Sequence, residues 1–487
     1  MAVRVPGKDA IFLYMETPTT HMNVVFGGVF DPSTMEDATG DPGEIFDRVR
    51  ELHVERAHLF PPFRQRIMEV PFQLDNPVLI EDPDFDLDYH LRRAALPAPG
   101  SKRELEDFIA RVAGRPLDRR RPLWESYVVE GLEGGKWAWV TKAHHVIVDG
   151  MGGNAALIQL LDLSPERRVV DPPEEEWSPN RAPSSAELVG GSIVGVAKRP
   201  WQLVKAAQRT TTAVIDTVSW KVRGEGKDTD IRIIGPRTFL NGEIGPHRQI
   251  SLGKVPLDDV KAVKKAAGCT VNDVVLAMCG RGLRTFLRAN GEDPGETLVA
   301  AVPISIRGRG EAAESGGNQV SGMTVPFYDD VADPVEQLRL INLATKPAKE
   351  QLGAVAATMM QEWSEFAPPA VAAQAFRFYS RAGLAKHHPP IANITLSNVP
   401  GPPFHIYMAG SRMDSMYPIG PVIHGQALNI TVVSYVDQMH IGVVADRDTV
   451  PDIRPLIADI QAGLRELMDA VISEDEGTAP DAAAQTG

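Results

Sequence analysis

Two adjacent histidines head the run His144-His145-Val146-Ile147-Val148-Asp149-Gly150. Histidine has the side chain whose ordinary pKa lies nearest neutrality. Held with one nitrogen free, it can take a proton from an attacking hydroxyl and give it back later. His145 is the residue placed for that work. Asp149, four positions on, is set to fix the turn, and Gly150 relieves the backbone behind it. A buried, hydrogen-bonded histidine is the competing reading, and a zinc ligand is another. Neighbouring residues of a strand point to opposite faces, and no glutamate-bearing zinc helix motif accompanies the pair, so no metal is expected. A second pair, His387-His388, runs into Pro389-Pro390 with no aspartate downstream. The spacing, and not the doublet, carries the signal.

The strand-like run Trp137–Ala143 must deliver the histidines, and Gly152-Gly153-Asn154 breaks the chain before a helix expected over Ala155–Leu163. Upstream, Leu105, Phe108, Ile109 and Val112 fall in step and predict an amphipathic helix over Lys102–Ala113. Asp84–Tyr89 alternates acid with apolar, as a half-exposed strand does. The aspartates at 82, 84 and 86 suggest a calcium loop, but Leu87 stands where its glycine belongs and Arg93 where its closing glutamate belongs. They read instead as a solvated strand face.

Five prolines and an acidic run make Pro165–Glu187 a linker. Beyond it, apolar positions 201, 204, 207, 211, 214 and 218 share one helical face, and residues 187–223 hold six basic residues against two acids. This stretch is expected to be an amphipathic bridge helix suited to a lipid surface. The organisation expected is an N-terminal domain over 1–165, the linker and bridge over 166–225, a C-terminal domain over 226–472 and an unstructured acidic tail over 473–487. In the C-terminal domain, helices are expected at Leu257–Ala267, Val271–Ala289 and Pro334–Lys349. Strands are expected at Thr297–Ile306, Ile391–Ser397, Leu428–Val436 and Met439–Asp446.

A chain of 487 residues exceeds one ordinary core, which favours two domains. A net charge of −14 argues against nucleic-acid binding. Cys269 and Cys279, the only cysteines, suit a reducing compartment and read as small core residues. With no leader and no apolar run of about 18 residues, the expected location is cytoplasmic, at most peripheral to a membrane.

Further blocks extend the pattern. Met15-Glu16-Thr17-Pro18-Thr19-Thr20-His21-Met22, Pro61–Arg66, Pro116-Leu117-Asp118-Arg119-Arg120-Arg121-Pro122-Leu123-Trp124-Glu125, Val271-Asn272-Asp273-Val274-Val275-Leu276 and Asn398-Val399-Pro400-Gly401-Pro402 occur in that order. Together with the histidine run, the set resembles the bacterial wax ester synthase/diacylglycerol acyltransferases over about residues 9–470. The histidine run alone is shared with other acyltransferases and with peptide-synthetase condensation domains.

The resemblance implies an α/β fold of two chloramphenicol-acetyltransferase-like domains, with mixed sheets flanked by helices and an active-site tunnel between them. It implies acyl transfer from long-chain acyl-CoA, a substrate and not a cofactor, to diacylglycerol or a fatty alcohol. The setting implied is the inner face of the membrane or a lipid droplet. His145 carries over as general base, with His144 beside it, and Asp149 as mainly structural. Asn272 is either an oxyanion donor or site-shaping group, or a helix N-cap in competition with Thr270. Trp124 either lines the acceptor tunnel or is core. Asn398–Pro402 reads as a rigid turn. Gly152 departs from the family, in which a serine is common at that place. Amide-forming condensation chemistry and a non-catalytic lipid-surface protein are the rival readings.

Overall fold

The computed structural model describes residues 2–36, 38, 39, 41, 43–148, 159–175, 177–192, 234–305, 320–347 and 369–477. Asp149, Gly150, Gly152 and most of the expected bridge helix, with Trp201 and Trp220, lie outside them.

The first half runs β1 (Val3–Arg4), α1 (Gly7–Met15), β2 (Asn23–Asp31), α2 (Glu44–Arg56), β3 (Gln65–Met68), β4 (Val78–Glu81), α3 (Leu87–His90), β5 (Leu91–Ala95), α4 (Lys102–Ala113), β6 (Trp124–Glu130), β7 (Trp137–His144) and α5 (His145–Val148). The second runs β8 (Arg248–Pro256), α6 (Leu257–Ala266), α7 (Val271–Ala289), β9 (Val299–Ser305), β10 (Val320–Pro326), α8 (Pro334–Pro347), α9 (Pro369–Arg381), β11 (Ile394–Val399), β12 (Tyr407–Met408), β13 (Ser411–Ile419), β14 (Leu428–Tyr435), β15 (Gln438–Asp446) and α10 (Arg454–Gly477).

Two six-stranded mixed sheets organise the molecule, in the orders β12-β13-β2-β7-β6-β5 and β10-β9-β11-β14-β15-β8, beside a small sheet β1-β4-β3. The expected boundary near 226 is not kept by the sheets, because β13 leaves the second half and pairs antiparallel with β2 of the first. Its burial there, with Met413 and Ile419 almost wholly enclosed, holds it in the neighbouring sheet. β15 packs across it so closely that a Cβ on Gly442 would lie 2.0 Å from the Pro418 carbonyl oxygen.

Most expected elements are present with shifted ends. α4 starts from a capping box in which Ser101 and Glu104 satisfy each other's backbone N–H groups. The half-exposed strand expected at Asp84–Tyr89 is instead a turn leading into α3. Asp86 caps that helix by accepting from the Asp88 amide, and this local bond prevails over the alternating pattern. The aspartates are no uniform solvated face either, since Asp82 is buried and paired with Arg66 at 3.3 Å. Of the helix expected over Ala155–Leu163, only Gln159 is helical among the described residues, and Asp162 already bridges to Tyr407. α10 continues into the segment expected to be an unstructured tail, as far as Gly477.

The halves are also tied through α4, which lies on β8. The Lys102 ammonium donates to the Leu252 carbonyl at 2.6 Å, and the Leu252 amide donates to the Glu106 carboxylate at 2.8 Å.

Candidate functional site

β7 is buried along its whole length between β2 and β6, so its end is fixed on both sides. The His144 amide donates to the Leu123 carbonyl at 2.9 Å, and the His145 amide donates to the Met22 carbonyl at 2.8 Å. The strand stops at His144 and a helical turn begins at His145. This change of backbone sends the two rings into different surroundings.

The His144 ring is 1% exposed. Its Nδ1 accepts the Val146 amide at 3.1 Å, so the ring proton of the neutral form sits on Nε2. Nε2 lies 3.3 Å from Glu16 Oε1, a charge contact whose geometry is off the line of an aligned hydrogen bond. Burial, the largest influence, lowers the His144 pKa below the usual histidine range, while Glu16 opposes it. Glu16 is itself held by Arg119 at 2.7 Å and accepts the Met22 amide at 3.1 Å. Burial alone would raise its carboxyl, but His144 and Arg119 outweigh that and bring it down to about 2.

The His145 ring is half-buried and stacks on Phe12, with centroids 4.3 Å apart and planes 20° from parallel. Phe12 and Glu16 lie four residues apart, one turn of helix, so the end of α1 carries supports for both histidines. Beneath them on β7, the buried Lys142 ammonium meets Glu125 at 2.7 Å and donates to the Val112 and Arg115 carbonyls. Burial lowers the Lys142 pKa and Glu125 opposes it.

The second half reaches this region through the segment before Met22. Arg248 donates to the Thr19 carbonyl. His424 Nε2 lies 3.2 Å from the Thr19 hydroxyl and 2.9 Å from that of Ser380. His21 is buried, and desolvation lowers its pKa to about 4.

The other expected residues fall as follows. Trp124 is 2% exposed, donates its indole N–H to the Phe63 carbonyl at 3.0 Å, and stacks between Phe63 and His90. It is a core residue in this arrangement. Asn272 occupies the first turn of α7 and is half-exposed, while Thr270 supplies the N-cap with Asp273 completing the box, so the capping alternative for Asn272 does not hold. Asp273 is the buried member of that motif, accepting from Asn342 and Thr345 of α8 at 2.8 and 2.9 Å. Gly401 has a steric reason for its place in Asn398–Pro402, because a Cβ there would lie 2.0 Å from the Ser434 carbonyl oxygen. Cys269 and Cys279 are both buried, and burial raises both thiols.

Glu16, Arg119 and Glu125 stood in sequence blocks noted for their order, without roles of their own. Phe12, Lys142 and Arg248 carried no such signal, since their partners are distant in the chain.

Comparison with known proteins gives a consistent result. Residues 6–275 match the model of the wax ester synthase/diacylglycerol acyltransferase catalytic domain, and residues 316–468 match that of its C-terminal domain. A putative diacylglycerol O-acyltransferase of Mycobacterium tuberculosis is 35% identical over 476 residues, covering 98% of this chain and 92% of that protein. A second from the same organism is also 35% identical, over 96% and 97%. The solved wax ester synthase/diacylglycerol acyltransferase from Marinobacter aquaeolei VT8 superposes with a TM-score of 0.68 at 27% identity, over 96% of this chain and all of that one. The first condensation domain of the calcium-dependent antibiotic synthetase shares the fold, with a TM-score of 0.55 at 15% identity over 97% and 96% of the two chains.

Proposed function

The chain belongs to the wax ester synthase/diacylglycerol acyltransferase family, and from that premise we propose that it makes triacylglycerol, transferring a long-chain acyl group from CoA to diacylglycerol. The observation that carries the reading is the division of labour between the histidines. His144 is enclosed with its Nε2 proton facing Glu16, whereas His145 is half-buried on Phe12 with Nδ1 on its inner side. We assign the base to His145 Nε2.

A thioester is already an activated donor, so no covalent enzyme intermediate is needed. His145 takes the proton of the glyceride hydroxyl as its oxygen bonds to the thioester carbon. The C–S bond then breaks, and the thiolate leaves with the proton that His145 returns. Asn272 is assigned to the oxyanion, as its amide offers two N–H donors. The stacked Phe12 and the clamped His144 and His145 amides fix the ring in advance, which lowers the cost of reaching the reactive geometry.

No helix of the described residues is long and apolar enough to cross a membrane. We place the enzyme peripherally, at the inner face of the membrane or on lipid droplets, where its water-insoluble acceptor resides. Equimolar diacylglycerol and hexadecanol competing for one labelled acyl-CoA test the reading. Triacylglycerol should dominate, with some wax ester formed. Dominant wax ester would overturn the choice of acceptor, and absence of both would overturn the reaction.

A further inference from the structure

Phe72 is 87% exposed, on a tight turn where it and Gln73 both adopt left-handed backbone, with φ of 58° and 51°. That conformation is unfavourable for residues with a Cβ, and more so for a bulky aromatic. The turn is nonetheless firmly held. Val70 is buried beneath it and accepts the Gln73 amide at 2.9 Å. Tyr14 donates to the Asn76 side chain at 2.9 Å, and Arg4 pairs with Asp75 at 2.7 Å. An apolar ring is thus held out into solvent by a braced turn, and nothing in its own packing accounts for the strain.

The turn touches α9, which lies on α1. The inner face of α9 places Ala373 and Phe376 against the core. Its outer face carries Gln374, Arg377, Phe378 and Arg381, all exposed and spaced as one helical stripe, with Phe378 at 65%. Neither Arg377 nor Arg381 has an ion pair among the described residues. In a chain with 64 acidic residues, none occurs between 366 and 413. Of the two carboxylates nearest Phe72 in sequence, Asp75 is paired with Arg4 at 2.7 Å and Glu69 lies 3.7 Å from Arg119.

Two projecting phenylalanines and two arginines without an ion pair among the described residues, on a helix with no acid of its own and with the carboxylate at its end, Glu243, held by Lys386 at 2.9 Å, complement an anionic lipid bilayer. We propose that Phe72 and Phe378 insert at the surface of such a bilayer while Arg377 and Arg381 meet its headgroups. This rests on the acyltransfer reading above and names where the lipid lies. The docking face is one helix away from the reacting ring, because α1, on which α9 lies, also carries Phe12.

The test uses the full chain and vesicles of phosphatidylcholine with phosphatidylglycerol. The parent should float with them, and less so in high salt. Phe72→Ser with Phe378→Ser should lower the bound fraction about ten-fold or more, in line with losing buried aromatic surface. Arg377→Glu with Arg381→Glu should abolish the preference for phosphatidylglycerol. Transfer to diacylglycerol in vesicles should fall in parallel, whereas transfer from butanoyl-CoA to dissolved hexanol should not change.

Flotation of the double phenylalanine variant equal to the parent overturns the proposal. So does a parent that never floats. A change in oligomeric mass without a change in flotation also overturns it, in favour of a contact between copies of the chain. Normal flotation with no acyl transfer in either assay would sink the functional reading and leave the docking face standing.

Discussion

Glu16 Oε1 and His144 Nε2 lie 3.3 Å apart, across a contact that joins the end of the first helix to the end of a central strand. That contact turns the ring proton of one histidine towards a held carboxylate, whereas the ring of His145 beside it is half-buried against Phe12.

His145→Ala should lower acyl transfer by about 10²–10⁴-fold, the range for a positioned base, with the melting temperature unchanged. His144→Ala should show the reverse balance. It removes a buried ring and strips a partner from an enclosed carboxylate, costing about 1–3 kcal/mol, with the smaller loss of rate. Initial rates beside thermal melts separate the two. Equal rate losses with both melts native-like would refute the division of roles.

Glu16→Gln keeps the shape and removes the charge. The folded carboxyl titrates at about 2 against an ordinary 4.5, so its stabilisation is complete above pH 4.5 and is lost as pH falls through 2. The variant should be less stable than the parent by up to about 3 kcal/mol at pH 7, by the linkage of a shift of that size. The gap should narrow steadily below pH 4.5. A gap independent of pH in urea titrations would show that the charge is not what matters.

Three buried histidines set a second pH dependence. His21, His53 and His440 are each lowered by burial from 6.5 to about 4. Between those values the unfolded chain binds protons that the folded chain does not, so stability falls as pH drops through 6.5 and these groups stop contributing below 4. Each adds a slope of at most about 1.4 kcal/mol per pH unit within that window. His440→Phe, beside Tyr417 and Tyr435, should flatten the slope by about one such share. An unchanged slope would contradict the assignment.

Gly442→Ala should destabilise the junction between the two large sheets. The new methyl would lie 2.0 Å from a backbone oxygen, which cannot swing aside as a side chain could. A loss of about 1–3 kcal/mol or more is expected by denaturant melts. An equally stable variant would mean that the sheets slide past one another freely.

Structure was legible in the sequence where it is local. The histidine run, the helix over Lys102–Ala113 and the helix over Val271–Ala289 are each specified by residues within a few turns of one another. What stayed hidden depends on residues far apart. Nothing near Phe12 announces that His145 will stack on it, and Lys142 reads as an ordinary strand lysine until Glu125 is folded against it. The sequence does not announce β13, because a bulge between Met413 and Ser415 breaks the two-residue period and Pro418 interrupts the strand composition. At Asp84–Tyr89 the period was present and misleading, since a single capping bond from Asp86 was worth more than the alternation.

The crossing strand has a consequence for how the protein is born. Until Ser411–Ile419 has been synthesised, β2 is the bare edge of the sheet that carries the histidines, with unpaired amides and carbonyls facing outwards. A nascent chain on the ribosome must carry that sticky edge through most of translation, prone to pairing with a neighbouring chain. The N-terminal half expressed by itself should therefore aggregate, and supplying the remainder as a second polypeptide during synthesis should rescue it.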